Sequence, residues 1–136
     1  MKIEGSCVCG NVHLEGEADP SKTQICHCTD CQRGSGSAFR ISILTPGDSL
    51  KMTGRYSTYV KTTADSGTPR VQAFCPHCGT HLYSTTQGEG QQPTYMVRVG
   101  ILNQRDQLIP QKQNWFRSAR SWVLNLDGIP KNEKQG

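Results

Sequence analysis

Val71-Gln72-Ala73-Phe74-Cys75-Pro76-His77-Cys78-Gly79-Thr80-His81-Leu82-Tyr83-Ser84-Thr85 reads as two β-type runs joined by a cysteine turn. The two-residue gap between Cys75 and Cys78, with Gly79 after it, lets backbone N–H groups point at both sulfurs, as in a zinc knuckle. His77 lies between the ligands as a spacer. A knuckle supplies two thiolates and a structural zinc takes four, so the remaining pair must come from elsewhere in the chain.

Cys7 and Cys9 are that pair by count. Residues 2–17 read as a hairpin: Val12, Leu14 and Gly16 alternate with His13, Glu15 and Glu17, the period of a half-buried strand, and Cys7-Val8-Cys9-Gly10 forms the turn before it. His13 falls on the polar phase and reads as a surface histidine. Joining Cys7 and Cys9 to Cys75 and Cys78 staples this hairpin to the middle of the chain, and structural zinc can supply roughly 10 kcal/mol of folding free energy in small domains.

The assignment leaves three thiols in Cys26-His27-Cys28-Thr29-Asp30-Cys31-Gln32-Arg33. A zinc with three protein ligands keeps a fourth position for water or substrate, as catalytic zinc sites do. Thr29 and Gln32 stand at capping-box spacing, which predicts a helix starting just after Cys28, with Cys31 in its first turn where N–H groups favour a thiolate. Gly34 and Gly36 limit that helix to a single turn. His27 can replace one thiolate as a ligand but is expected to be a solvent-facing neighbour.

The rest of the chain is turn-rich and β-like. Ser37 to Leu44 reads as a strand with Phe39, Ile41 and Ile43 inward, ended by Pro46-Gly47. Leu50 to Gly54 and Arg55 to Thr62 suggest a hairpin around Gly54, residues 63–69 a loop, Gln87 to Pro93 a polar flexible segment, and Thr94 to Gly100 the clearest late strand. Residues 101–109 read as a loop. No segment holds helical periodicity, so the fold class is mainly β, with residues 1–125 as one domain and 126–136 as a flexible tail.

Composition narrows the function classes. The chain has 136 residues, a 34% hydrophobic fraction, 14 Gly and seven Cys. An odd number of cysteines fits metal ligation better than a pure disulfide framework, and free thiolates suit a reducing cytoplasm. Met1-Lys2-Ile3-Glu4-Gly5 has no apolar signal core, and no run approaches the length of a membrane span. Formal net charge is +4. Seven thiolates on two zinc ions reduce it to roughly +1, which removes most of the footprint of a nucleic-acid binder. Neither a nucleic-acid nor a membrane partner is expected, and nothing points to a particular oligomeric state.

Gly5-Ser6-Cys7-x-Cys9-Gly10-x-Val12, Cys26-x-Cys28-x-x-Cys31-Gln32-Arg33 with Gly36-Ser37-x-Phe39, Phe74-Cys75-x-x-Cys78-Gly79 and Trp122 together resemble the glutathione-dependent formaldehyde-activating enzyme family, related to centromere protein V. The resemblance implies a β-tent fold of small antiparallel sheets around two zinc ions. One zinc would be structural, on Cys7, Cys9, Cys75 and Cys78. The other would be catalytic, on Cys26, Cys28 and Cys31, the division already reached by counting. In one departure, many relatives carry a histidine after Pro110 where this chain has Gln113.

The resemblance also implies carbon–sulfur bond chemistry between a glutathione-like thiol and a small aldehyde. The carboxylates of such a thiol need cationic partners, and Arg33 and Arg40, flanking the cysteine cluster, are the candidates. Lys51, Arg55, Arg98, Arg117 and Arg120 rank below them. Tyr56, Tyr59, Trp115 and Trp122 are expected to pack in the core or rim. Two rival readings are a binding module whose zincs are both structural and a zinc-ribbon nucleic-acid binder, the latter disfavoured by charge.

Overall fold

The structure is a computed structural model that describes residues 1–86 and 93–136; most of the segment from Gln87 to Pro93, expected to be flexible, lies outside the described residues. The chain begins with the expected hairpin, β1 (Lys2–Ser6) and β2 (His13–Glu17), paired from Lys2↔Glu17 to Ser6↔His13. A 3-10 turn at Pro20–Lys22, capped by Asp19, leads into β3 (Thr23–Cys26). After α1 (Thr29–Ser35) come β4 (Arg40–Pro46), β5 (Lys51–Thr53), β6 (Ser57–Lys61), β7 (Arg70–Phe74), β8 (His81–Thr86), β9 (Thr94–Arg98) and β10 (Lys112–Asn114).

Two sheets result, with strand orders β1-β2-β5 and β10-β3-β4-β9-β8-β7-β6. All pairings are antiparallel except β10 on β3. Ile3 and Leu14 of the small sheet, with Val12 just before β2, meet Ile43, Leu82 and Val97 of the large one in a single buried core. Leu102 and Leu108 close that core from within the loop after β9. Gly5 makes the join possible: it bridges Leu102, and a Cβ there would collide with the Ile101 carbonyl. The fold is thus mainly β, as expected.

Several local expectations need correction. Residues 50–62 do not form a hairpin, because β5 pairs with β2 and β6 pairs with β7. The chain changes sheets at Gly54, whose positive φ of 92° and tight approach to the Asn11 carbonyl exclude a side chain. α1 spans seven residues, about two turns, because Gly34 stays helical and only Gly36, at φ 65°, ends it. β10 and β3 were not anticipated as strands at all.

The large sheet carries unlike faces. Along β4, Ile41 and Ile43 point to the core while Arg40, Ser42 and Leu44 line a cavity on the other side, following the two-residue alternation of a strand. The polar phase of β4 is therefore largely buried, as Arg40 and Ser42 both are.

Candidate metal centres and a cationic cavity

The first cluster forms where two turns meet. The Cys7–Gly10 turn of the first hairpin faces the Cys75–Thr80 turn between β7 and β8, and the four sulfur atoms of Cys7, Cys9, Cys75 and Cys78 lie within 4.8 Å of one another. Gly79, at φ 77°, closes the knuckle through Gly79 N–H to Cys75 O at 2.8 Å. Backbone and hydroxyl donors surround the sulfurs: Val12 N–H donates to Cys7 Sγ at 3.2 Å, and Thr80 Oγ1 lies 3.1 Å from Cys78 Sγ. The Thr80 hydroxyl and the Cys9 amide pull the Cys78 thiol down to about 5. Donors of this kind favour the thiolate that binds metal, so the residues fit a closed four-sulfur site.

Cys26, Cys28 and Cys31 form the second cluster, also with sulfurs within 4.8 Å of one another. Cys26 ends β3, Cys28 precedes α1, and Cys31 lies in its first turn. The cap of α1 is the Cys28 sulfur, which accepts from Cys31 N–H at 3.3 Å, and not the Thr29–Gln32 box. Gln32 instead donates to His27 O at 2.7 Å and Ser118 O at 3.0 Å, tying the cysteine loop to the late chain. The hydrogen bond from the Cys31 thiol lowers the pKa of Cys26, and the same bond with burial raises that of Cys31. Sulfurs this close together suit joint ligation of a cation.

His27 is 0% exposed, which corrects its expected solvent-facing position. Its ring packs edge-on against Phe39 and Phe116 at centroid distances of 5.4 and 5.5 Å, and Nε2 bonds Gln113 Oε1 at 2.7 Å. The side chain turns away from the sulfurs into an aromatic slot. His13 is exposed as expected, although it stands with Glu4 and Glu15 in a third group of potential ligands. His77 is exposed within the knuckle turn.

The second cluster opens onto a cavity of about 640 Å³ whose lining includes Cys26, Cys28 and Cys31. Arg40, Arg70, Arg98 and Lys61 bring positive charge to the same space. Arg33 is exposed and outside the lining, whereas Arg98, ranked below it from sequence, is 7% exposed and Arg40 9%. Arg70 escaped the sequence reading because it directly follows a loop-like run. Gly34 lies against the guanidinium end of Arg40. Burial, then the charge of Arg40, pulls Arg98 down to about 9, which still leaves it protonated at neutral pH.

The cavity walls come from both ends of the chain. Asp30 in the first turn of α1 accepts from Thr63 Oγ1 at 2.7 Å and pairs with Lys61 at 3.0 Å, fixing the loop after β6 over the cysteine cluster. These two contacts, the hydroxyl first, lower the pKa of Asp30. Trp115, held at φ 56° directly after β10, lines the same cavity. A left-handed conformation is uncommon for a bulky residue. Of the other aromatics, Tyr56 packs against Tyr83 at 6.0 Å, while Tyr59 and Trp122 are exposed.

Known proteins match the chain over part of its length. An uncharacterised lyase of Schizosaccharomyces pombe is 31% identical over 82 residues, 60% of this chain and 56% of that protein. A protein of Emericella nidulans, provisionally named as a glutathione-dependent formaldehyde-activating enzyme, is 26% identical over 88 residues, 65% of this chain and 44% of its own length. The matched region thus spans about half the length of these curated relatives. A crystal structure of a Rhodobacter sphaeroides protein superimposes with a TM-score of 0.59 at 24% identity, covering 82% of this chain and 99% of that one, which supports the fold. The profile of the glutathione-dependent formaldehyde-activating enzymes matches residues 2–118. That range contains both cysteine clusters, the cationic strands and the Trp115 wall, and the chain belongs to the glutathione-dependent formaldehyde-activating enzyme family.

Proposed function

We propose that the protein is a zinc-dependent carbon–sulfur lyase that joins or cleaves a glutathione-like thiol and a small aldehyde, in the manner of an S-(hydroxymethyl)glutathione synthase. The observation that carries this reading is the inequality of the two clusters: four sulfurs in one, three in the other, with the three lining a large cationic cavity. Cys7, Cys9, Cys75 and Cys78 would hold a structural zinc, and Cys26, Cys28 and Cys31 a catalytic one. When bound at the second cluster, zinc lowers the pKa of a coordinated thiol or polarises a carbonyl oxygen.

The chain's own residues supply position and charge. Arg40 and its neighbours receive the carboxylates of the thiol, and Trp115 and the Asp30–Lys61–Thr63 wall confine both reactants beside the sulfurs. Addition forms one carbon–sulfur bond while the carbonyl π pair moves to oxygen, which takes up one proton. The reverse returns that proton and expels the thiolate. Arg33, on the outer surface, has no part in this assignment. Unpaired thiolate ligands suit a reducing compartment, for which we propose the cytoplasm.

The test is adduct formation from glutathione and formaldehyde, followed by loss of free thiol, with zinc-loaded and zinc-stripped protein. Acceleration by the loaded form alone supports the assignment. Equal rates for both forms and buffer, across several thiols and aldehydes, overturn it in favour of a binding module whose zincs are both structural.

A further inference from the structure

Away from the two cysteine clusters, one further group of metal-ligating side chains converges among the described residues. Glu4 of β1 meets His13 and Glu15 of β2, and their donor atoms all lie within 4.8 Å of one another. The register explains the meeting: Glu4 pairs directly with Glu15, and His13 stands two residues before Glu15. The alternation that sends Ile3 and Leu14 into the core therefore sends all three to the outer face of the β1-β2-β5 sheet.

Glu4 and Glu15 are the one pair of acids standing directly opposite each other in the ladders of the described residues. Like charges so placed are destabilising, and both residues are half-buried, which limits their hydration. The pairing is also of the closer kind. Glu4 spends its N–H on Gln104 Oε1 at 3.0 Å and its carbonyl on Asn103 N–H at 2.8 Å, so it forms no ladder bonds with Glu15, and side chains approach most nearly at such positions. The same two bonds fix the Glu4 backbone to the loop after β9. Neighbouring cations do not relieve the repulsion: the ion pairs among the described residues are the Met1 amino group with Glu17 and Lys61 with Asp30, so neither His13 nor Lys51, opposite Glu15 on β5, neutralises the two carboxylates.

We propose that Glu4, His13 and Glu15 form a third metal site, an exchangeable one for a divalent ion of the zinc class, on the outer face of the first hairpin. An ion between the carboxylates turns their repulsion into attraction. Two carboxylate oxygens and one imidazole nitrogen suit Zn(II), Co(II) or Ni(II), whereas Ca(II) and Mg(II) take oxygen ligands. Metal–ligand bonds of about 2.0–2.2 Å hold opposite donors about 4.2 Å apart, so small side-chain rotations close the group on an ion. Three ligands on an outer face leave the remaining positions to water, unlike the closed four-sulfur cluster. The hairpin carries Cys7 and Cys9 in its turn, so the bound ion braces the strands that present half of that cluster. The site is independent of any chemistry at the cysteine triad.

The test starts from protein with both cysteine clusters zinc-filled and loosely held metal removed by gel filtration. Zn(II) is titrated by calorimetry, and Co(II), which binds more weakly than zinc and leaves the filled clusters alone, is followed by paramagnetic broadening of backbone NMR signals. One further zinc per chain is expected, with a Kd of about 10 μM or tighter, and cobalt broadening centred on residues 4, 13 and 15. His13→Ala and Glu15→Gln are each expected to weaken this zinc about tenfold or more. Glu17→Gln removes the same charge from the same sheet without removing a ligand and is expected to change the affinity less than about threefold. Added zinc should raise the melting temperature of the parent and leave that of His13→Ala unmoved.

Uptake only near millimolar zinc, broadening centred elsewhere, or equal weakening by Glu17→Gln and Glu15→Gln would reveal an adventitious ion only, drawn by diffuse negative charge, and would overturn the site.

Discussion

The two cysteine clusters use one ligand type, yet they differ in where the sulfurs originate and what lies beside them. The four-sulfur cluster draws Cys9 and Cys75 together across 66 positions of sequence and is walled by hairpin turns. The three-sulfur cluster is local, confined to residues 26–31, and borders the cavity. A long-range complete site acts chiefly on folding, since the chain must close a large loop to build it. A local incomplete site contributes little to closure and can serve a reactant. On the proposed assignment, one element would divide between stability and chemistry according to the sequence distance between its ligands.

The comparison breaks most visibly at Cys75. Replacing it with Ser removes a buried sulfur of the long-range cluster, and the expected outcome is loss of cooperative thermal unfolding, in keeping with a contribution on the order of 10 kcal/mol from structural zinc. Circular dichroism with metal analysis checks this; a folded variant still holding about two zincs per chain would erase the distinction.

Cys28→Ser is the counterpart in the local cluster. Serine remains a good helix cap, so α1 should survive while ligation is lost. The expected result is about one zinc fewer per chain, a drop in adduct formation of roughly a hundredfold or more, and a nearly unchanged melting temperature. Collapse of the fold in this variant would make both clusters structural.

His27→Ala sharpens the comparison by weakening what stands behind the local cluster. The ring fills a slot between Phe39 and Phe116 and satisfies Gln113, so its removal is expected to cost about 2–4 kcal/mol in denaturant unfolding. Retention of the metal at the four-sulfur cluster would show that this loss is local.

The smallest effect concerns Asp30. Its folded carboxyl titrates below its unfolded value, so the contact with Thr63 and Lys61 stabilises fully above the unfolded value and is lost as pH falls through the lower, folded one. Asp30→Asn should therefore flatten the acid limb of a stability profile below pH about 4 while leaving neutral stability within about 1 kcal/mol, because the pair is only partly buried and the asparagine can still accept from Thr63. An unchanged acid limb would exclude this contact as its source.

The cysteine division was legible because ligand count and spacing constrain metal sites more tightly than any propensity constrains a strand. The first hairpin and the inward phase of β4 were legible through alternation, as Leu14 and Ile43 show. Burial of the opposite phase was hidden: Arg40 and Ser42 look solvent-facing in sequence because polarity marks a cavity floor and a surface alike. Gly54 misled for a related reason, since a positive-φ glycine serves a hairpin turn and a change of sheet equally well. β10 is the polar run Lys112-Gln113-Asn114 without periodicity, and its identity depends on a parallel partner almost ninety positions away. His27 was misplaced because its neighbours' role as ligands says nothing about the direction of its own side chain.

The bond from the Cys31 amide to the Cys28 sulfur has a practical corollary. One proton on the backbone reports on an atom that otherwise gives no signal in most spectroscopies. Oxidation of that sulfur would change the acceptor of this bond, so solvent exchange at this single amide would register damage to the cluster.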